Sequence, residues 1–193
     1  MRLLLPLLRG LGAAGCTLAA ACGFDGVTAP ALLTAGEVQG TYLVCELRFT
    51  PSQGALPPAD VLGAVMVADP PPPLAPPSLT LGGAAPGFEL AYTRRRDGTT
   101  QRLHGEVEFG TGSVFLYVGS GGPSVVPFEA LLPPWHLDLV FHAATGRLTA
   151  GEEVSAYSVH RRDYAAATGV DEDGLRDRIS GHVTAVFARN GCG

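Results

Sequence analysis

Lysine is absent from this chain of 193 residues, so all 13 of its basic residues are arginine. Charged residues of either sign make up only 16% of the chain, and the net charge is −5. An acidic protein lacks the basic patch that phosphate binding needs, so we expect no nucleic-acid partner. Because alanine, glycine and proline are also abundant, we interpret the missing lysine as the mark of a GC-rich genome.

Motifs of catalysis are absent as well. The chain has no Gly-x-Ser-x-Gly nucleophile elbow, no phosphate-binding glycine loop and no dinucleotide-binding fingerprint. Residues 171–174 begin like a calcium loop, but their glycine comes too early for that ligand spacing. His136, Asp138 and His142 share one face of a predicted strand without a recognised zinc spacing. We therefore expect no enzymatic activity, no cofactor and no metal site.

No uninterrupted apolar run reaches the roughly 20 residues that a membrane-spanning helix requires. The chain instead starts with a short positive segment, followed by the apolar stretches LLLPLL and GLGAAGCTLAAA. This order is typical of a secretory signal, so we predict that residues 1–21 are a signal peptide that is removed. They contain two arginines and no acid, so their removal changes the net charge from −5 to −7.

A cysteine follows this apolar start. Ala19, Ala20 and Ala21 precede Cys22, and the arrangement resembles a bacterial lipobox, whose cysteine receives diacylglycerol and becomes the mature N-terminus. The resemblance implies a lipoprotein of the cell envelope that is anchored to a membrane through Cys22. Residues 22–37 lack strand alternation until their end and are interpreted as a flexible tether. The alternative is an ordinary signal peptide cleaved after Ala21, which would release a soluble protein.

The four cysteines are Cys16, Cys22, Cys45 and Cys192. Cys16 ends a second lipobox-like sequence, which has less apolar sequence before it. If Cys22 is acylated and Cys16 is removed, the exported protein keeps two cysteines, and this count favours a Cys45–Cys192 disulfide. Closing so long a loop would stabilise the fold by roughly 4–5 kcal/mol. The alternative is a pair of unpaired, buried thiols.

The remainder of the chain, residues 38–193, alternates apolar and polar residues in short segments. Its many glycines and prolines disfavour long helices, and turn signals recur about every eight to twelve residues, as in antiparallel sandwiches and barrels. We therefore predict one all-β domain, a single antiparallel up-and-down barrel of about 8–10 strands, with a β-sandwich as the alternative. Residues 69–77, which are rich in proline, are predicted to form an extended loop.

Individual segments carry their own predictions. The strand predicted over 40–49 places its odd-numbered residues, Leu43 and Leu47 among them, on the buried face. The apolar run 61–68 is predicted to be another strand, and 163–180 is the one weakly helical piece. Asp97–Gly98 indicates a type I′ hairpin, and Pro127 makes 124–132 an edge or bulged strand.

The start of the first strand carries a family resemblance. Gly40-Thr41-Tyr42 follows a secretion signal and opens an all-β chain, and it resembles the first-strand Gly-x-Trp region of lipocalins, with tyrosine in place of tryptophan. The whole chain is similar in outline to the small lipocalin-like lipoproteins of bacterial envelopes. The resemblance implies that the first and last strands pair to close a barrel, which would bring Cys45 and Cys192 near each other.

A barrel of this size has room for one small ligand, which gives the predicted function: non-catalytic binding of a small apolar molecule. The alternative is a structural or protein-interaction component of the cell envelope, in which the same residues fill a solid core. The predicted lining of the ligand site is Leu43, Leu47, Phe88, Leu90, Tyr92, Phe115, Trp135, Leu139 and Phe141.

Overall fold

The computed structural model describes residues 31–82, 87–118, 136–150 and 154–193. A short 3-10 turn, Glu172–Gly174, follows the third helix. The other elements in chain order are α1 (Ala35–Val38), β1 (Gly40–Pro51), β2 (Ala59–Asp60), α2 (Leu62–Val65), β3 (Ser78–Leu81), β4 (Phe88–Thr93), β5 (Thr100–Phe109), β6 (Ser113–Val118), β7 (His136–His142), β8 (Arg147–Ala150), β9 (Val154–His160), α3 (Arg161–Thr168) and β10 (Arg178–Ala188).

Eight of the ten described strands close into an antiparallel barrel. The order around the ring is β1-β3-β4-β5-β6-β7-β8-β10, and β10 pairs with β1 to complete it. From β3 to β8 each strand pairs with the next one along the chain, as in an up-and-down barrel. The predicted all-β, up-and-down barrel is therefore confirmed, and the sandwich alternative is not what the chain forms.

The first and last strands of the ring are longer than the barrel itself. The start of β1, residues 40–43, pairs with β3, whereas Arg48 and Phe49 further along pair with β2. Likewise β10 pairs with β8 over residues 186–188 and with β9 over 178–183. The two long strands thus carry a four-stranded extension, β2-β1-β10-β9, at the end of the barrel away from α1.

A β-bulge interrupts β1 and reverses which side chains face the core. Val44 pairs with Phe187 and Glu46 pairs with Val186, so Cys45 is the extra residue. Before the bulge the buried residues are Tyr42 and Val44, and after it they are Leu47 and Phe49. The prediction that Leu43 faces the core is therefore wrong, because strict alternation cannot pass through an extra residue.

Helices α2 and α3 lie beside the extension and cover its core. Tyr164 of α3 is fully buried, and its hydroxyl donates a hydrogen bond to the Pro57 carbonyl oxygen at 2.6 Å. Its ring and that of Tyr157 each lie 6.1 Å from the Phe49 ring, centroid to centroid. Aromatic contacts of this geometry are favourable beyond the area they bury, so the cluster fixes α3 against β1 and β9.

Two local predictions need correction, and a third is untested. The run 61–68 contains the helical turn α2 rather than a strand, because an apolar run this short fits either structure. The helix predicted in 163–180 is α3, which begins earlier, at Arg161, and ends at Thr168, where Gly169 caps it with a φ of 75°. The strand predicted over 124–132 lies outside the described residues.

The hairpin predicted at Asp97–Gly98 exists, but its loop is longer than two residues. Arg94 pairs with Thr99 across four loop residues, and Gly98 has a φ of 66°. The Thr99 amide and hydroxyl donate hydrogen bonds to Asp97 at 3.0 and 2.6 Å. These bonds, with the Arg94 guanidinium at 3.0 Å, lower the pKa of Asp97 to about 2. The ionised carboxylate therefore helps hold the hairpin tip together.

Contacts with the barrel begin inside the segment predicted as a tether. The Leu33 amide donates to the Gly110 carbonyl oxygen at 3.0 Å, in the turn between β5 and β6. The Thr34 amide and hydroxyl both donate to the Glu37 carboxylate at 2.7 Å, which stabilises the start of α1. The predicted tether, residues 22–37, thus overlaps the folded domain from Leu33 onward.

The predicted disulfide is present. Cys45 and Cys192 are bonded, with their Cα atoms 5.1 Å apart and a separation of 147 positions along the chain. The bond ties the bulge of β1 to the residues that follow β10. It therefore covalently links the first and last strands of the ring.

We predict that Cys192→Ser lowers the free energy of unfolding by about 5 kcal/mol in the chain-entropy limit, because the unfolded chain loses its long covalent loop. Urea unfolding of the variant and of the wild type, with and without reductant, measures the effect. Reduced wild-type protein should match the variant. An oxidised wild type no more stable than its reduced form contradicts the prediction.

Candidate functional site

The interior of the barrel is the first candidate site, because the predicted ligand lining points there. Five of the nine predicted residues face the core and are at most 5% exposed. They lie on β4, on β7 and on the second half of β1, where the sequence pattern predicted the buried face correctly. These residues are Leu47, Phe88, Leu90, Tyr92 and Leu139.

Of the other four predicted lining residues, two face away from the core, one is half-buried and one lies outside the described residues. Leu43 faces away from the core because of the bulge. Phe115 is on the outer face of β6, opposite Glu108 and Asp138, so its assignment to the lining is wrong. Phe141 is half-buried and packs at the edge of the core. Trp135 lies outside the described residues.

Within the described part of the chain, the side chains that face into the barrel are closely packed. A pocket for a small molecule would leave its lining accessible to a water-sized probe. Inward residues on seven strands instead show at most 2% exposure, as is typical of a filled core. They include Tyr42, Leu79, Leu90, Val114, Leu116, Leu137, Leu139, Leu148 and Phe187.

One end of the barrel is held by Arg189, which sequence analysis did not single out. Its guanidinium lies 4.9 Å above the Tyr42 ring and hydrogen-bonds the Tyr42 hydroxyl at 2.6 Å. The same group donates at 3.1 Å to the carbonyl oxygens of Glu37 and Gln39, at the end of α1. Arg189 thus connects the residue after β10 to the helix and strand that begin the domain.

The Gly-x-Tyr sequence that carries the lipocalin resemblance contacts this arginine. Gly40 has a φ of 140°, and a Cβ there would lie 3.4 Å from Arg189 Nε. The buried Tyr42 hydroxyl donates to the Val38 carbonyl oxygen at 2.7 Å. Burial raises the pKa of Tyr42, and Arg189 opposes that shift. The motif therefore supplies room and a ring face for the guanidinium.

A second candidate site lies outside the barrel. A cleft of about 300 Å³ opens between α2, α3 and the tip of the β4–β5 hairpin. Its lining contains one acidic and one basic residue among small residues. The lining is Asp60, Gly63, Ala64, Arg95, Ala166 and Ala167. No sequence motif marks this cleft, because its residues come from three separate segments that only the fold brings together.

Other groups offer little chemistry. His142 Nε2 lies 2.9 Å from the Thr149 hydroxyl, so this histidine is engaged in a cross-strand hydrogen bond. In the described ranges no three His, Cys, Asp or Glu side chains converge as metal ligands would. Nor does any helix found there have the length and apolarity to cross a bilayer.

The chain was compared with family models, with curated proteins and with solved structures. None of the three comparisons finds a match. Functional inference therefore depends on the residues and the geometry alone.

We predict that Arg189→Gln costs roughly 2–4 kcal/mol of unfolding free energy, since it removes charge-assisted hydrogen bonds and a cation–π contact. Arg176→Gln, at an exposed position, is the matched control for the loss of one positive charge and should change stability by less than about 0.5 kcal/mol. Urea unfolding measures both variants. Equal effects of the two substitutions would show that the Arg189 contacts do not stabilise the barrel.

Proposed function

We propose that this protein is an exported, lipid-anchored component of the bacterial cell envelope, with a lipocalin-like barrel that has a solid core. In this proposal it is not an enzyme and acts through its outer surface, as a structural or protein-interaction component. The observation that carries the proposal is the packing of the described inward side chains, which favours a solid core over a pocket for a small apolar ligand.

The membrane anchor in this proposal is diacylglycerol on Cys22. The lipobox-like residues supply the attachment point, and the Cys45–Cys192 disulfide supports export, because such bonds persist in oxidising compartments. That bond also leaves Cys22 as the unpaired cysteine of the processed chain, since Cys16 lies in the predicted signal peptide.

The position of the N-terminus gives the proposed protein an orientation. Residue 31 and α1 are at one end of β1, and the α2–α3 region is at the other. The eight steps from Gly40 to Arg48 span about 26 Å in a strand. A tether that leads to Gly40 would therefore hold the barrel by one end and present α2, α3 and the β4–β5 hairpin away from the membrane.

The anchor is tested by mass spectrometry of membrane fractions. Wild-type protein should carry an acyl modification on Cys22, and Cys22→Ser should lose both that mass and its membrane association. Cys16→Ser is the matched control, because it alters the second lipobox-like cysteine and should remain acylated. Absence of an acyl mass on wild-type Cys22 removes the anchor from the proposal.

The solid core is tested by Leu116→Ala. Leu116 faces inward and is fully buried, so its truncation leaves a cavity and should cost about 2–5 kcal/mol of stability. Val140→Ala is the control, because Val140 is 36% exposed on the outer face of β7, and it should cost less than about 1 kcal/mol. Urea unfolding measures both.

A fluorescent fatty acid is the probe that tests the small-ligand alternative. The solid-core proposal expects no saturable binding of this probe to the wild-type protein. Stoichiometric binding, together with a Leu116→Ala effect no larger than that of the control, would favour the small-ligand function instead.

A further inference from the structure

The cleft beside α2 has opposite charges at the two ends of one helical turn. Asp60 Oδ1 accepts hydrogen bonds from the Leu62 amide at 3.0 Å and from the Leu47 amide at 3.1 Å. At the other end of α2, the Arg95 amide donates to the Val65 carbonyl oxygen at 3.0 Å. With a rise of 1.5 Å per residue, these two attachment points are about 5 Å apart along the turn.

Both charged groups have polar atoms that can still form hydrogen bonds with a ligand. The hydrogen bonds to Asp60 use Oδ1, and Oδ2 has no partner among the described residues. The guanidinium of Arg95 makes no hydrogen bond or ion pair with any residue in the described ranges, whereas the neighbouring Arg94 pairs with Asp97. The fold thus holds Asp60 through one carboxylate oxygen and Arg95 through its backbone amide, and it leaves Asp60 Oδ2 and the Arg95 guanidinium available to a ligand.

The walls of the cleft admit a small molecule. Gly63, Ala64, Ala166 and Ala167 have no side chain beyond Cβ, so a ligand can approach the backbone of α2 and α3 closely. The cleft volume of about 300 Å³ equals the liquid volume of about ten water molecules. A molecule of about ten non-hydrogen atoms therefore fits.

We propose that this cleft binds a small zwitterion, with the ammonium group at Asp60 and the carboxylate at Arg95. A guanidinium binds a carboxylate through two parallel hydrogen bonds, which favours this role for an arginine over a lysine. The opposite charges of the two groups suit a zwitterion, such as a short peptide of small residues, better than a ligand with one isolated charge. This binding site is separate from the barrel interior and goes beyond the role proposed above.

Diglycine is the probe for this site. It is titrated into the full-length protein, isotope-labelled and held in detergent micelles, while amide resonances are recorded. We expect saturable shifts at Gly63, Ala64 and Ala167. Since the cleft is open to solvent, the dissociation constant should be about 1 mM or weaker, at the low end of small-ligand affinity.

Three variants distinguish binding at this cleft from a general effect of the protein's net charge. Arg95→Gln and Asp60→Asn should each weaken diglycine binding by about tenfold or more, as expected for a charge-assisted hydrogen bond. Asp60→Asn keeps the Oδ1 acceptor, so α2 retains its support. Arg96→Gln makes the same charge change at the next residue, which does not line the cleft, and should bind diglycine as the wild type does.

Two blocked ligands complete the test. N-acetyl-diglycine lacks the ammonium group and diglycine amide lacks the carboxylate, so both should bind at least about tenfold more weakly than diglycine. The proposal is overturned if diglycine causes no saturable shifts at the cleft. It is also overturned if either blocked ligand binds as tightly as diglycine, or if Arg96→Gln weakens binding as much as Arg95→Gln.

Discussion

The pairing of β1 with β10 is the interaction on which the rest of the fold depends. It closes the ring of eight strands, and it continues beyond the ring to form the middle of the β2-β1-β10-β9 extension. The close approach of the two strands requires glycine near one end. A Cβ on Gly181 would meet the Thr50 carbonyl oxygen and lie 2.6 Å from the Phe49 ring. The core of both regions forms only when these two strands are aligned.

Covalent and polar contacts strengthen the same pairing near the N-terminus of the domain. The disulfide begins at the bulge residue Cys45, and Arg189 reaches from the end of β10 to α1 and Tyr42. Since the disulfide acts mainly on the unfolded chain and the Arg189 contacts act in the folded state, the two are complementary rather than redundant. At the α2–α3 end, the Tyr164 hydroxyl donates to the Pro57 carbonyl oxygen and the Tyr164 ring packs against Phe49.

The pattern of the sequence predicted the barrel because antiparallel neighbours need only short turns, and turn residues are local signals. Leu90, Tyr92 and Leu139 were placed correctly for the same reason: alternation within one regular strand is reliable. Leu43 was misplaced because a single bulge reverses the alternation, and nothing in the local sequence marks Cys45 as an extra residue. The short run around α2 failed because four apolar residues fit a strand or a helical turn equally well.

The candidate sites were harder to predict than the fold. Arg189 acts through contacts with residues about 150 positions earlier in the chain. Asp60 and Arg95 line one cleft only because α2 packs against the β4–β5 hairpin. For Arg189, the one available signal in the sequence was its position directly after the last strand. The disulfide, by contrast, could be inferred from the predicted export and from the number of cysteines, without knowledge of distance.

Hydrogen exchange of the native protein tests most directly whether the barrel depends on the β1–β10 pairing. If it does, the paired amides of these two strands exchange only through global unfolding, and they are as strongly protected as those between β4 and β5. Faster exchange along β1 and β10, with the β4–β5 amides still protected, would contradict the account, because the ring would then open without loss of its core.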